Sequence, residues 1–139
     1  MFIPPVIPQR IVPPSREIYA AMGQENITRM FEDFYVELEK SAIRAMFPAD
    51  MRAAAHKSAA FYIGLFGGPP LYQQRYGNPM MRARHLPFPI NQAARDEWLA
   101  CFERVLRDAP AQYNFPPESL GGFREFLREF SLWMMNVGE

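Results

Sequence analysis

Proline and glycine cut this chain into segments that leave room only for short helices. There are fourteen prolines among 139 residues. Pro48, the run Gly67-Gly68-Pro69-Pro70, Pro87, Pro89, Pro110 and the pair Pro116-Pro117 each stop the pattern before them. Between these stops, apolar residues recur at three- and four-residue intervals, which puts them on one face of a helix. Residues 26–40 carry Ile27, Met30, Phe31, Phe34, Tyr35 and Leu38 in that spacing. No β pattern and no internal repeat appears, so the expected class is all-α.

Residues 1–14 hold five prolines and read as an extended arm ahead of a domain spanning 15–139. Ser15 can cap a short helix to about Met22, which Gly23 breaks. Ser41 to Met46 reads as one further turn. Asp50 can cap a helix over about 51–66, which the glycine-proline run ends. Residues 71–77 are ambiguous. Asn78-Pro79 is a cap with proline at the first helical position, opening a short helix that ends near His85. Asn91 can cap a helix over 92–109 that Pro110 terminates. A loop with Gly121-Gly122 precedes the last helix, whose stripe runs from Phe123 through Phe126, Leu127, Phe130, Trp133 and Met134 to Val137.

Composition narrows the function. Fifteen Lys and Arg balance fifteen Asp and Glu. Nothing global therefore attracts nucleic acid or anionic lipid. The apolar runs fall short of a membrane span, and no charged leader with an apolar stretch opens the chain. The lone Cys101 makes no internal disulfide and reads as an inert core thiol. A cytoplasmic protein without nucleic-acid or membrane partners is expected. Aromatics reach 14 %, with twelve Phe, and there are nine Met. Both fill cores, and both line pockets for large flat ligands.

There are two histidines. His85, in Arg82-Ala83-Arg84-His85-Leu86-Pro87-Phe88-Pro89, stands at a helix end with a chain reversal after it. One His without a second ligand at metal spacing is a poor zinc site. It suffices as the protein ligand of a haem, whose in-plane ligands come from the porphyrin. Arg82 and Arg84 suit haem propionates, because guanidinium pairs carboxylates bidentately. Taken alone, His85 reads first as an ordinary core or surface residue.

The runs Gly67-Gly68-Pro69-Pro70-Leu71-Tyr72, Tyr76-Gly77-Asn78-Pro79, Met81 to Phe88 and Arg95 to Cys101 resemble the truncated haemoglobin family, and within it group II. The resemblance covers about residues 17–137. It implies a globin-like, two-over-two helical sandwich around b-type haem. The family's proximal ligand falls on His85, and its Phe-Tyr pair on Phe34 and Tyr35. The aromatic before the distal helix falls on Phe47, the group II tryptophan on Trp98, and the propionate-reaching base on Lys57. Tyr72, Phe61, Arg84 and Phe88 join the expected haem contacts, Phe88 backing the proximal side. Tyr35 and Trp98 offer O–H and N–H to a ligand that iron has polarised.

The match departs from the family in two places. One glycine, Gly23, stands where the family commonly has a pair. The stretch from Phe47 to Gly67 is about one residue short. Counted back from the glycines, the distal positions are Ala54 and Ser58; counted forward from Phe47, they are Ala55 and Ala59. Ser58, if inward, adds a third hydroxyl. His56 is expected to face solvent, with a distal or sixth-ligand role as the alternative.

Three functions compete. The first is binding of dioxygen, nitric oxide and carbon monoxide at ferrous haem. The second is haem redox catalysis, nitric oxide dioxygenation or a peroxidase-like reaction, which needs an external reductase because no flavin or nicotinamide motif is present. The third is a non-haem helical interaction module docking through the proline arm. The family pattern also implies a homodimer.

Overall fold

The computed structural model describes residues 7–78 and 88–137. Among these, the chain forms α1 (Ile18–Glu39), α2 (Met51–Leu65), α3 (Leu71–Tyr76), α4 (Gln92–Leu106), α5 (Ala109–Tyr113) and α6 (Leu120–Met134). Short 3₁₀ turns cover Arg44–Met46 and Pro117–Ser119, and the described residues include no strand. No described helix is long and apolar enough to cross a membrane. The short helix expected to run from Pro79 to His85 lies outside the described residues.

Local chemistry sets most boundaries. The Asp50 side chain accepts a hydrogen bond from the Ala53 backbone N–H at 3.0 Å, and Asn91 does the same for Ala94 at 2.9 Å. Each cap contributes about 1 kcal/mol. Gly23 lies at φ 80° and ψ 160°, so α1 is two helical stretches joined at a kink. α1 begins at Ile18, later than Ser15 suggests, and the Ser15 hydroxyl instead accepts from the Glu17 N–H at 3.2 Å. The turn after α2 brings the chain back onto α1. A Cβ on Gly67 would lie 2.0 Å from the Arg16 carbonyl oxygen, and one on Gly68 would lie 2.6 Å from the Tyr19 ring.

Three expectations need correction. The helix from Asn91 stops at Leu106, and Pro110 sits in the first turn of α5, where its missing N–H is no loss. Gly121 and Gly122 belong to the first turn of α6 and not to the loop before it. Val137 lies beyond the end of α6 and is 39 % exposed, so it leaves the inward stripe.

α1 packs against α2 and α4, and α4 packs against α6. Phenylalanines fill the space between them. Phe34 and Phe102 stack with ring centroids 3.8 Å apart, and Phe31 stacks on Tyr62 at 4.7 Å. Each such ring contributes roughly 1.5–3 kcal/mol through burial. Ion pairs brace the outside. Arg124 meets Glu103 through two 2.8 Å hydrogen bonds between α6 and α4. The described part of the arm lies on its own core, with Ile11 buried and Ile7 packed beside it.

Candidate functional site

Helical geometry separates Phe34 from Tyr35. Neighbours on a helix point about 100° apart, so one enters the core and the other faces its edge. Phe34 is buried, whereas Tyr35 is half-buried. Phe47 follows the 3₁₀ turn in extended conformation and sets its ring edge-on to Tyr35 at 5.7 Å. Trp98 on α4 meets Phe34 edge-on at 6.1 Å and Phe102 at 4.9 Å. Ser58 on α2 lies beside the Tyr35 phenol, close enough to lower its pKa. Four parts of the chain thus bring Phe34, Tyr35, Phe47, Ser58 and Trp98 together.

The two counts along α2 differ in burial. Ala55 and Ala59 are each 1 % exposed, and Ala59 belongs to the packed core, while Ala54 and Ser58 are half-buried. Ser58, from the count back, stands beside the Tyr35 phenol, and Ala55, from the count forward, lines a cleft with Tyr35.

Burial raises the Tyr35 phenol above the ordinary tyrosine range, and the nearby Ser58 hydroxyl opposes that rise. Burial raises the Tyr62 phenol as well, with Tyr35 adding to it. Both phenols hold their protons at neutral pH, so Tyr35 is a neutral donor.

Other expected residues spread along the same side. Phe61 is buried and touches Tyr62, Tyr72 and Phe130 edge-on or tilted. The Lys57 ammonium lies 5.2 Å from the centre of the Tyr76 ring and 6.0 Å from that of Tyr72. Phe88 stands apart: its ring is 38 % exposed, and its carbonyl accepts from the Asn136 side chain at 2.9 Å. His85 and Arg84 lie outside the described residues.

His56 is partly exposed and turns toward α1, its Nε2 lying 2.8 Å from Glu32 Oε2. Arg52 approaches the same carboxylate oxygen at 3.4 Å. Sequence reasoning missed this cluster, because no local spacing marks residues that meet across two helices. It also missed Tyr113, whose hydroxyl donates to the Asp33 carboxylate while Arg29 covers its ring. Cys101 is buried, and burial raises its thiol, in keeping with an inert core residue. Among the described residues, no group of three His, Cys, Asp or Glu could hold a metal ion.

The comparisons with known proteins agree with one another. A bacterial-like globin family model matches residues 17–131. The group 2 truncated haemoglobin YjbI of Bacillus subtilis is 37 % identical over 110 residues, covering 78 % of this chain and 77 % of that protein. The crystal structure of phosphate-bound Hell's gate globin IV superposes with a TM-score of 0.84 at 32 % identity, covering 100 % of this chain and 87 % of that one. The truncated oxygen-avid haemoglobin of Bacillus subtilis superposes with a TM-score of 0.74 at 34 % identity, covering 85 % and 98 %.

Proposed function

The chain belongs to the bacterial-like globins, among the group II truncated haemoglobins, and on that premise we propose that it holds b-type haem and binds dioxygen and other diatomic gases. The observation that carries this reading is that Tyr35 and Trp98 both pack edge-on against Phe34, with Phe47 and Ser58 beside Tyr35. Flat apolar rings suit a porphyrin face, and neutral donors suit a small polarisable ligand above it. The donor set therefore fits the group.

Haem, when bound, supplies an iron site for diatomic ligands and, with an external reductant, one-electron chemistry. The chain's own residues do the rest. His85 is the proposed proximal ligand, supported by its place within the sequence run that resembles the family. Tyr35 holds its proton and offers it to the ligand, while Ser58 orients the phenol from α2. Trp98 offers an indole N–H from α4, and Phe34 and Phe102 fix its ring. Phe47 and Phe61 exclude water from the apolar side. Lys57, against Tyr72 and Tyr76, sits one turn from Phe61 as a cation available to a propionate. Arg84 is a second propionate candidate by sequence, and Phe88 a proximal one.

His56 stays out of this assignment, because its ring nitrogen is engaged by Glu32. Two donors of this kind slow ligand escape, which favours retention over rapid delivery. The test is oxygen dissociation after Tyr35→Phe and Trp98→Phe. Faster release in both supports the reading, and unchanged rates in both remove it.

A further inference from the structure

Arg44 holds Phe47 by both of its backbone polar groups. The Phe47 N–H donates to the Arg44 carbonyl at 3.1 Å, and the Arg44 guanidinium donates back to the Phe47 carbonyl at 3.2 Å. A second nitrogen of the same guanidinium reaches the Ala49 carbonyl at 3.4 Å. The two carbonyls flank Pro48, which has no N–H to give. Proline also keeps the residue before it out of the helical region, and Phe47 is extended. Its carbonyl stands ahead of α2 and outside that helix's ladder, so a side chain supplies the donor.

The anchor reaches back to α1. The Ser41 hydroxyl donates to the Leu38 carbonyl at 2.7 Å and accepts from the Ile43 N–H at 3.3 Å. The Ser41 carbonyl accepts from the Arg44 N–H at 3.3 Å. Leu38 stands about one helical turn beyond Tyr35 on α1. The Phe47 ring then returns to Tyr35, edge-on at 5.7 Å. A path from α1 through Ser41, Arg44 and Phe47 thus closes on α1 again. Phe47 is only half-buried and Ala49 is exposed, surroundings in which a loop opens readily. The guanidinium closes it.

Resting on the proposed function, in which Tyr35 donates to the bound gas, we propose that Arg44 is a positioning residue for that donor. It fixes the loop that sets Phe47 against Tyr35, and it acts on the phenol through Phe47. The planar fork suits the task because it spans two carbonyls at once, which a lysine ammonium does less well.

The test uses the haem-loaded full chain as parent, Arg44→Ala, Tyr35→Phe and the double variant. Arg44→Ala is expected to speed oxygen dissociation about three- to tenfold, less than Tyr35→Phe does. In the Tyr35→Phe background the same change is expected to leave the rate as it is, because the group that Arg44 positions is gone. The infrared C–O stretch of the carbon monoxide complex is expected to broaden in Arg44→Ala, and to ignore Arg44 once the phenol is removed. Amide hydrogen exchange at Phe47 is expected to quicken in Arg44→Ala, with α1 and α2 protected as in the parent. Should Arg44→Ala lose its haem or its fold, Arg44→Lys carries the test, keeping charge and stem and speeding release about twofold. Parent-like release in Arg44→Ala, or in Arg44→Lys where it stands in, overturns the role of Arg44 while a fast Tyr35→Phe leaves the proposed function intact. Equal acceleration in both backgrounds overturns that role too, since Arg44 then acts by another route. Unchanged release in Tyr35→Phe and Trp98→Phe overturns the proposed function and this inference together.

Discussion

The Ser58 hydroxyl on α2 stands close enough to the Tyr35 phenol on α1 to oppose the rise in its pKa that burial causes. That approach ties α1 to α2, which pack against each other, and it links two neutral groups. A neutral donor pair can stabilise a polarised ligand without trapping a counter-ion beside it. Removing the phenol is therefore the sharpest change available on this side.

Tyr35→Phe keeps the ring contacts with Phe34 and Phe47 and deletes the donor. A hydrogen bond with a charged partner contributes about 1.5–3 kcal/mol, so oxygen dissociation is expected to rise roughly ten- to 150-fold. Trp98→Phe likewise keeps an aromatic against Phe102 and removes the indole N–H. Stopped-flow displacement of oxygen by carbon monoxide measures both. A parent-like rate in either variant assigns that residue to packing alone.

His56→Ala separates a structural imidazole from an iron ligand. The Glu32 pair is partly exposed, so its loss is expected to cost about 0.2–1 kcal/mol of stability. Thermal melts should shift down by a few degrees at most, while ferric and ferrous absorption spectra stay as they are. Any change in coordination bands would place His56 at the iron instead.

Two glycines give opposite forecasts. Gly67→Ala sets a Cβ against the Arg16 carbonyl at a residue with φ 97°, so strain and a shifted turn are expected to cost about 1–3 kcal/mol. Gly121 lies exposed in the first turn of α6 with nothing within 4 Å of the added Cβ. Gly121→Ala is expected to gain up to about 0.5–1 kcal/mol. Denaturant unfolding of the two variants compares them directly. Equal effects would mean that the close approach at Gly67 is not what shapes the turn.

Alkaline stability follows from Tyr62. Its phenol is held above the ordinary value of 10.0 by burial, with Tyr35 adding to the effect. Below that pH the phenol is protonated in both native and unfolded chains, and it contributes no slope. Above it the unfolded chain loses a proton that the native chain keeps. Stability therefore falls as pH rises past about 10, by at most about 1.4 kcal/mol per unit for each such tyrosine. Melting curves of the parent and of Tyr62→Phe check this, because the variant keeps its ring against Phe31 and should show a shallower decline.

Local signals were the legible ones. Asp50 and Asn91 announce their helices because a side-chain cap needs only three residues of chain. Gly23 announces the kink because a positive φ suits glycine. The break between Leu106 and Ala109 was not legible, since proline both ends helices and begins them and its sequence context leaves the choice open. The register of α2 stayed ambiguous between Ser58 and Ala59 for a related reason. Both are small, and rotation of α2 against α1 decides which one meets Tyr35. Glu32 and His56 lie 24 residues apart, and their pairing depends on that same rotation. The site residues around Tyr35 came from the family resemblance, because composition and spacing alone make them ordinary packing residues.

The most direct test of the account is the visible absorption spectrum of the purified protein, recorded before and after dithionite and carbon monoxide, beside that of His85→Ala. The account predicts an intense Soret band that shifts on reduction and again on gas binding, and severe loss of haem in the variant. A parent protein with no Soret band after haemin is added would contradict haem binding. A variant that keeps its haem and its spectra would contradict His85 as the proximal ligand.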